Sequence, residues 1–276
     1  YPAVGTPFVD HHSTIFLIFA FFIFIYCVYK DNYSYLIFLP LLLVLSFLSK
    51  QTPAVYGLFV LSILIISNVL LNKRIFKNTL VPLIIGSFIS LIFLFLFFYL
   101  SEINFVNFFN QYILFARTVG EDRINDYNFN LFNILEEYKF INIFIAILAL
   151  VLFKMIKNKT KSQKDVFIII IVLALAVLMI FHQAITFNQN YIFFLIPLLS
   201  ALIHIFSLKA FKNKKSLIIV TILICIFAVG KYHLRFNEHR KFHELEKVDL
   251  SKSVDAKTIH KSLSGLKWIT RHYPED

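Results

Sequence analysis

The feature that most constrains this chain is a succession of long apolar runs separated by short polar breaks. A bilayer core about 30 Å thick takes roughly 20 apolar residues in a helix. Eight runs approach that length, at about 13–30, 35–49, 53–71, 80–99, 140–155, 166–183, 192–208 and 216–230. The second is short, or else begins earlier, at Tyr33. The expected fold class is therefore all-α, a polytopic transmembrane helix bundle of about eight helices over residues 1–231. Residues 232–276 change character, becoming charged and broken by Ser, Asp and Gly, and read as the start of a small soluble extracytoplasmic segment. Trp268, beside Leu266 and Ile269, reads there as a core or interface anchor.

Composition excludes the main alternatives. With 59% hydrophobic and 16% charged residues, the chain lies far from the balance of a soluble globular domain. A net charge of +11 raises the question of nucleic acid. The basic residues, however, fall in short clusters between apolar runs, where the positive-inside rule expects them, so no nucleic-acid partner is expected. Cys27 and Cys225 both lie inside apolar runs and read as small buried hydrophobes. The chain opens at Tyr1 and stops at RHYPED, and it reads as a fragment. Its first apolar run has no basic region or small-residue cleavage site before it, so it does not read as a signal peptide.

Three basic clusters, Lys73/Arg74/Lys77, Lys154 to Lys164 and Lys209 to Lys215, alternate correctly to be cytoplasmic. The remaining connections then face outward: the start around Asp10, the break from Ser49 to Pro53, the loop 100–139, the loop 184–191 and everything after Lys231. The expected location is a membrane of the cell envelope, a bacterial inner (plasma) membrane, with the polar face toward the periplasm or exterior.

Almost every unusual polar group lands on that outer face. Asp10, His11 and His12 abut the first apolar run and admit three readings: a capped helix start with Ser13 and Thr14, a divalent metal site, or part of a catalytic pocket. Lys50 and Gln51 interrupt two apolar runs in LSKQTPAV. A lysine there either snorkels to water or meets an anion such as a phosphate at headgroup depth. Arg117, Glu121, Asp122, Arg123 and Asp126 crowd the longest outward connection, either as a solvated surface or as cations for a phosphate balanced by carboxylates. His182, Gln183, Asn188, Asn190 and Tyr191 stand at the mouth of a helix, where amide and phenol groups suit hydroxyl-rich ligands.

The order of outward Asp then helix in TPFVDHHSTIFLIFAFFIFIY, followed by helix, Lys and helix in LLLVLSFLSKQTPAVYGLFVLSILI, resembles the membrane glycosyltransferases of the GT-C class. The branch is the one containing protein O-mannosyltransferases and the lipid A aminoarabinose transferase. NQNYIFFLIPLLSALIH resembles that branch's later helix after an outward loop, and the likeness spans about residues 7–230. The resemblance implies transfer of a sugar from a polyprenyl-phosphate carrier to a glycan, lipid or protein acceptor outside the membrane, with inversion at the anomeric carbon. It also implies a principal catalytic carboxylate in a loop that would precede Tyr1, with Asp10 corresponding to a second acidic position. Three other readings stay open: a lipid-linked saccharide flippase or transporter, a polysaccharide polymerase or ligase, and a purely structural membrane protein. Transporters place ionisable or helix-breaking residues near the midplane. Here the midplane is nearly all aliphatic and aromatic, with Gly57, Gly86 and His204 as exceptions.

Overall fold

A computed structural model describes residues 9–115, 118, 131–158, 162–186, 191–211, 215–234, 249–258 and 260–268; of 9, 10, 131, 186, 191 and 250 it describes the backbone alone. The described chain is helical apart from two short strands, and seven helices are long and apolar enough to cross a membrane. We number them with their shorter companions in chain order: α1 Val9–Lys30, α2 Leu39–Ser49, α3 Gln51–Leu71, α4 Phe76–Leu100, α5 Phe105–Phe108, α6 Leu131–Glu137, α7 Lys139–Lys157, α8 Gln163–Thr186, α9 Leu195–Ala210 and α10 Lys215–His233.

The eighth expected span is the exception. Residues Tyr33–Ser49 form a shorter apolar element, beginning as a 3-10 turn over Tyr33–Phe38 and continuing as α2. Local chemistry explains the change of helix type. Asp31 takes a left-handed φ of 52°, which Asp tolerates better than most residues, and this ends α1. Asn32 then caps the 3-10 turn, its Oδ1 accepting from the Ser34 amide at 3.2 Å. Pro40 sits at the start of α2, where its missing N–H costs nothing.

Packing centres on α8, whose membrane-length window is 67% buried, against 11% for α4 and α10. It packs against α1, α3 and α7, while α7 lies along α9. α7 is two-faced, with Phe140, Ile141, Phe144, Leu148, Val151 and Met155 buried in a 3–4 residue rhythm and Leu150, Phe153 and Ile156 exposed. In a bilayer the exposed face meets lipid tails, for which apolar side chains are as suitable as for the core. α4 rides on the 3-10 turn: a Cβ at Gly86 would fall 2.2 Å from the Ile37 carbonyl oxygen, so only glycine permits this approach.

The end of the bundle carrying Lys73 and Lys164 is tied by charge. Lys164 pairs with Asp31, joining α8 to the end of α1. Lys209 of α9 pairs with Asp165 of α8 at 2.7 Å, and Asp165 is 7% exposed. Asn158 adds a bond from its amide to the Ala210 carbonyl at 3.3 Å.

The segment 100–139, expected as one loop, contains α5, a π-helical turn over Phe109–Leu114, and α6. Asn104 starts the first of these as an N-cap, accepting from the amides of Val106 (2.9 Å) and Asn107 (3.2 Å). By internal contacts the chain divides into residues 1–228 and 229–276. The second unit holds a two-residue antiparallel pairing, Val254 with Trp268 and Asp255 with Lys267. Trp268 is 56% exposed there; its partner strand is two residues long and offers no interior to enter, so the expected core role does not hold.

Candidate functional site

Lys50 is the residue at which two helices break. Its backbone is extended, φ −161° and ψ 135°, and it serves both as the C-cap of α2 and the N-cap of α3. Its amide closes α2 by donating to the Ser46 carbonyl at 3.0 Å. Its own carbonyl accepts from the Ser13 hydroxyl at 3.0 Å. That one bond brings the DHHS stretch of α1 to the lysine break, 37 residues apart in sequence.

Ser13 does more than reach Lys50. It donates toward the Ser46 carbonyl at 2.8 Å and lies 2.9 Å from the Ser46 hydroxyl, while that hydroxyl donates back to the Ser13 carbonyl at 2.8 Å. Both serines are fully buried. Two small side chains thus let the α1 and α2 backbones approach closely and satisfy each other's polar atoms, the usual way membrane helices associate. α1 is already helical at Val9, so Ser13 and Thr14 are not its cap, as one reading of the sequence held. The hydroxyl of Ser13 is used between helices instead.

A third element closes over the break. The Tyr112 hydroxyl, from the π-helical turn, meets the Phe47 carbonyl at 2.6 Å and the Leu48 carbonyl at 2.9 Å. These are carbonyls that the end of α2 leaves without intrahelical partners. Gln51 returns the contact, its amide donating to the Tyr112 carbonyl at 2.6 Å. Tyr112 also stands edge-on to Phe47 and stacks on Phe108, with centroids at 5.8 and 4.9 Å. Burial pushes its phenol up to about 12, so at neutral pH it remains a hydrogen-bond donor.

His11 is half-buried and His12 exposed, two and one residues before Ser13; with Lys50 and Gln51 they therefore share one end of the bundle. Asp10 lies in the first turn of α1 and Tyr191 opens the 3-10 turn Tyr191–Phe194, each described by its backbone alone. Arg117, Glu121, Arg123 and Asn188, expected at the same site, lie outside the described residues. Among the described residues no group of three or more His, Cys, Asp or Glu is placed to hold a metal ion.

Lower in this end, the ring of Tyr56 in α3 meets Phe181 in α8 at 5.3 Å. Just beyond, toward the Lys50 end, His182 and Gln183 are almost completely buried, at 0% and 1% exposed. Sequence reading singled out these two at a helix mouth, and the structure puts them inside the packed helix end. Ser13, Ser46 and Tyr112 were not singled out, because a lone serine in an apolar run and an aromatic in a loop carry no distinguishing pattern.

The arrangement can do one thing well chemically. A lysine at a helix break, followed at once by the N-terminal turn of α3, offers an ammonium and a helix dipole that both favour an anion. Neutral hydroxyl and amide bonds hold the break in place, and imidazoles stand on the adjoining helix start. The fold defines a polytopic helical integral membrane protein, with His11, His12, Lys50 and Gln51 at one end of its bundle. No protein family, curated protein or solved structure matches the sequence.

Proposed function

We propose that the protein is an integral-membrane glycosyltransferase, moving a sugar from a polyprenyl-phosphate carrier to a hydroxylated acceptor at the exterior face. The observation that supports this reading is the bond from the Ser13 hydroxyl to the Lys50 backbone carbonyl at 3.0 Å, which brings the lysine break to the helix start that carries Asp10, His11 and His12. In this reading the acceptor oxygen attacks the anomeric carbon, and the bond from that carbon to the phosphate oxygen breaks. The electron pair leaves with the polyprenyl phosphate, and the acceptor proton passes to a base at the start of α1, among Asp10, His11 and His12. Lys50 stabilises the charge that builds on the departing phosphate, where a preorganised cation in a dry setting has most effect. Arg117 and Arg123 are secondary cations for the same phosphate. Gln51, Glu121, Asn188 and Tyr191 orient the sugar.

The test is reconstitution of the full-length protein into liposomes carrying a polyprenyl-phosphate hexose labelled in the sugar. Loss of label from the lipid with appearance in an acceptor, and release of polyprenyl phosphate in equal amount, is expected. Movement of the intact labelled lipid from one leaflet to the other, with no transfer, would establish the flippase reading in its place.

A further inference from the structure

Three buried oxygens at the Lys50 end have no hydrogen-bond partner: Thr14 Oγ1, Thr52 Oγ1 and Gln183 Oε1. Thr14 is 2% exposed and Gln183 1%. Leaving such groups unsatisfied is costly, about 1–3 kcal/mol each; Thr79 Oγ1 in α4 is a single further such oxygen among the described residues, whereas other buried hydroxyls of the bundle bond their own helix. Ser90 donates to the Gly86 carbonyl one turn back at 2.7 Å, and Thr221 to the Leu217 carbonyl at 3.0 Å. Thr14 sits in an equally regular helix and makes no such bond.

The three oxygens come from three helices that pack against one another, α1, α3 and α8. Their level follows from neighbouring contacts. The Tyr56 and Phe181 rings meet at 5.3 Å, with Thr52 about one turn beyond Tyr56 and Gln183 two residues beyond Phe181, both toward the Lys50 end. Gly57 is in direct contact with Leu17, since a Cβ on it would fall 2.2 Å from a Leu17 methyl. Thr14 lies three residues beyond Leu17 in the same direction. Three uncharged oxygens thus occupy one layer, just inside the Lys50 break.

We infer that Thr14, Thr52 and Gln183 form a recognition site for the hydroxyl groups of a neutral sugar ring, separate from the cation that holds the phosphate; this rests on the proposed transferase reading. The chemistry divides cleanly. Two hydroxyls and an amide carbonyl carry no charge to bind a phosphate, but they match the mixed donors and acceptors of a ring with several hydroxyls. Lys50, above them, has the charge but no acceptor on its side chain. The oxygens are closed off in this arrangement, so ligand entry requires the ends of α1, α3 and α8 to part. The unmet hydrogen bonds favour that opening when a ligand arrives to satisfy them.

The experiment compares binding of two probes by the full-length protein in nanodiscs: polyprenyl-phosphate hexoses (glucose, mannose and galactose forms) and polyprenyl phosphate without sugar. Thr14→Val and Thr52→Val keep the shape and remove the hydroxyl, and Gln183→Leu removes the carbonyl. We expect each to weaken binding of the preferred sugar lipid about tenfold while leaving bare polyprenyl phosphate within twofold of wild type, and the two valine variants to melt at higher temperature. Lys50→Ala weakens both probes. If the valine variants bind sugar lipid as wild type does, whether or not they are more stable, the sugar site is overturned while the transferase reading stands. If wild type binds none of the three sugar lipids, that reading fails and the sugar site with it. A valine substitution changes a single buried atom's polarity, so the inference does not depend on Gln183→Leu folding.

Discussion

The two ends of the bundle are fastened by different chemistry. At the Lys164 end, carboxylates meet lysines: Asp31 with Lys164, and the buried Asp165 with Lys209 at 2.7 Å. At the Lys50 end hydroxyl and amide groups join the helices, through the Ser13 and Ser46 pair and the Tyr112 and Gln51 bonds around the α2 to α3 break. The difference teaches which contacts between helices respond to charge and salt and which do not. Of the two ion pairs only Asp165–Lys209 has a buried member, so removing its partner strands a charge, while the exposed Asp31–Lys164 pair contributes little. A break held by hydroxyl and amide groups keeps its geometry through contacts that salt does not screen.

The largest effect expected from disturbing this contrast is at Lys209. Lys209→Met leaves the Asp165 carboxylate buried opposite an apolar chain, and loss of one partner from such a pair costs about 3 kcal/mol. Asp165→Asn should cost distinctly less, because the Lys209 side chain is 46% exposed and reaches water. Unfolding in mixed detergent measures both, and equal losses would show that burial of Asp165 does not govern the pair.

Next comes the serine clasp. Hydrogen bonds between membrane helices average about 0.6 kcal/mol and reach about 1.7, so Ser13→Ala and Ser46→Ala should each cost roughly 1–2 kcal/mol. Because the two side chains share their bonds, the double variant should cost less than the sum of the singles. Strict additivity would mean that the two serines act independently. High salt should leave all three variants' losses unchanged.

Tyr112→Phe removes the donor to Phe47 and Leu48 and should cost about 1 kcal/mol. Its pH dependence has a definite sign. Burial raises the folded phenol to about 12, above the ordinary value near 10, so the protonated form is favoured in the folded state. The contribution is complete below pH 10 and is lost as pH rises through about 12. A stability difference between Tyr112→Phe and wild type that shrinks between those values supports the assignment; one that changes between pH 5 and 8 contradicts it.

The smallest effect is at Lys164. Both members of its pair are exposed, at 46% and 57%, and such pairs contribute below about 1 kcal/mol and are screened by salt. Lys164→Ala should be close to silent at high ionic strength.

Much of the architecture could be read from the chain because a bilayer imposes a single length and a single polarity on every span. The apolar runs became helices, and the lysine break became a helix break. What escaped reading depends on pairing over distance. Ser13 and Ser46 are 33 residues apart, and nothing in either run marks them as partners. The second run was legible as short or as starting at Tyr33, and the element does span Tyr33–Ser49; what apolar length does not register is the 3-10 turn that Asp31, Asn32 and Pro40 impose. The short helices in the connection after α4 were not expected because NFVNFFNQYILF combines an Asn104 cap with Phe108 stacked on Tyr112, and such a turn has no membrane-length signal. Of the expected site, His11, His12, Lys50 and Gln51 were legible from their position at the polar edge of apolar runs. The buried oxygens of Thr14 and Thr52 were not, since an isolated threonine in a helix ordinarily bonds its own backbone.

The central claim is that the lysine at the break acts on a phosphate in the transition state and does not merely snorkel. Transfer of labelled sugar from polyprenyl-phosphate hexose by the full-length protein, at equal folded amounts of wild type, Lys50→Ala and Lys50→Arg, tests it most directly. Removing one such electrostatic donor commonly costs on the order of a hundredfold in rate. The account predicts a loss of that size for Lys50→Ala and partial retention for Lys50→Arg, whose charge survives in a different geometry. Full turnover in Lys50→Ala would contradict it.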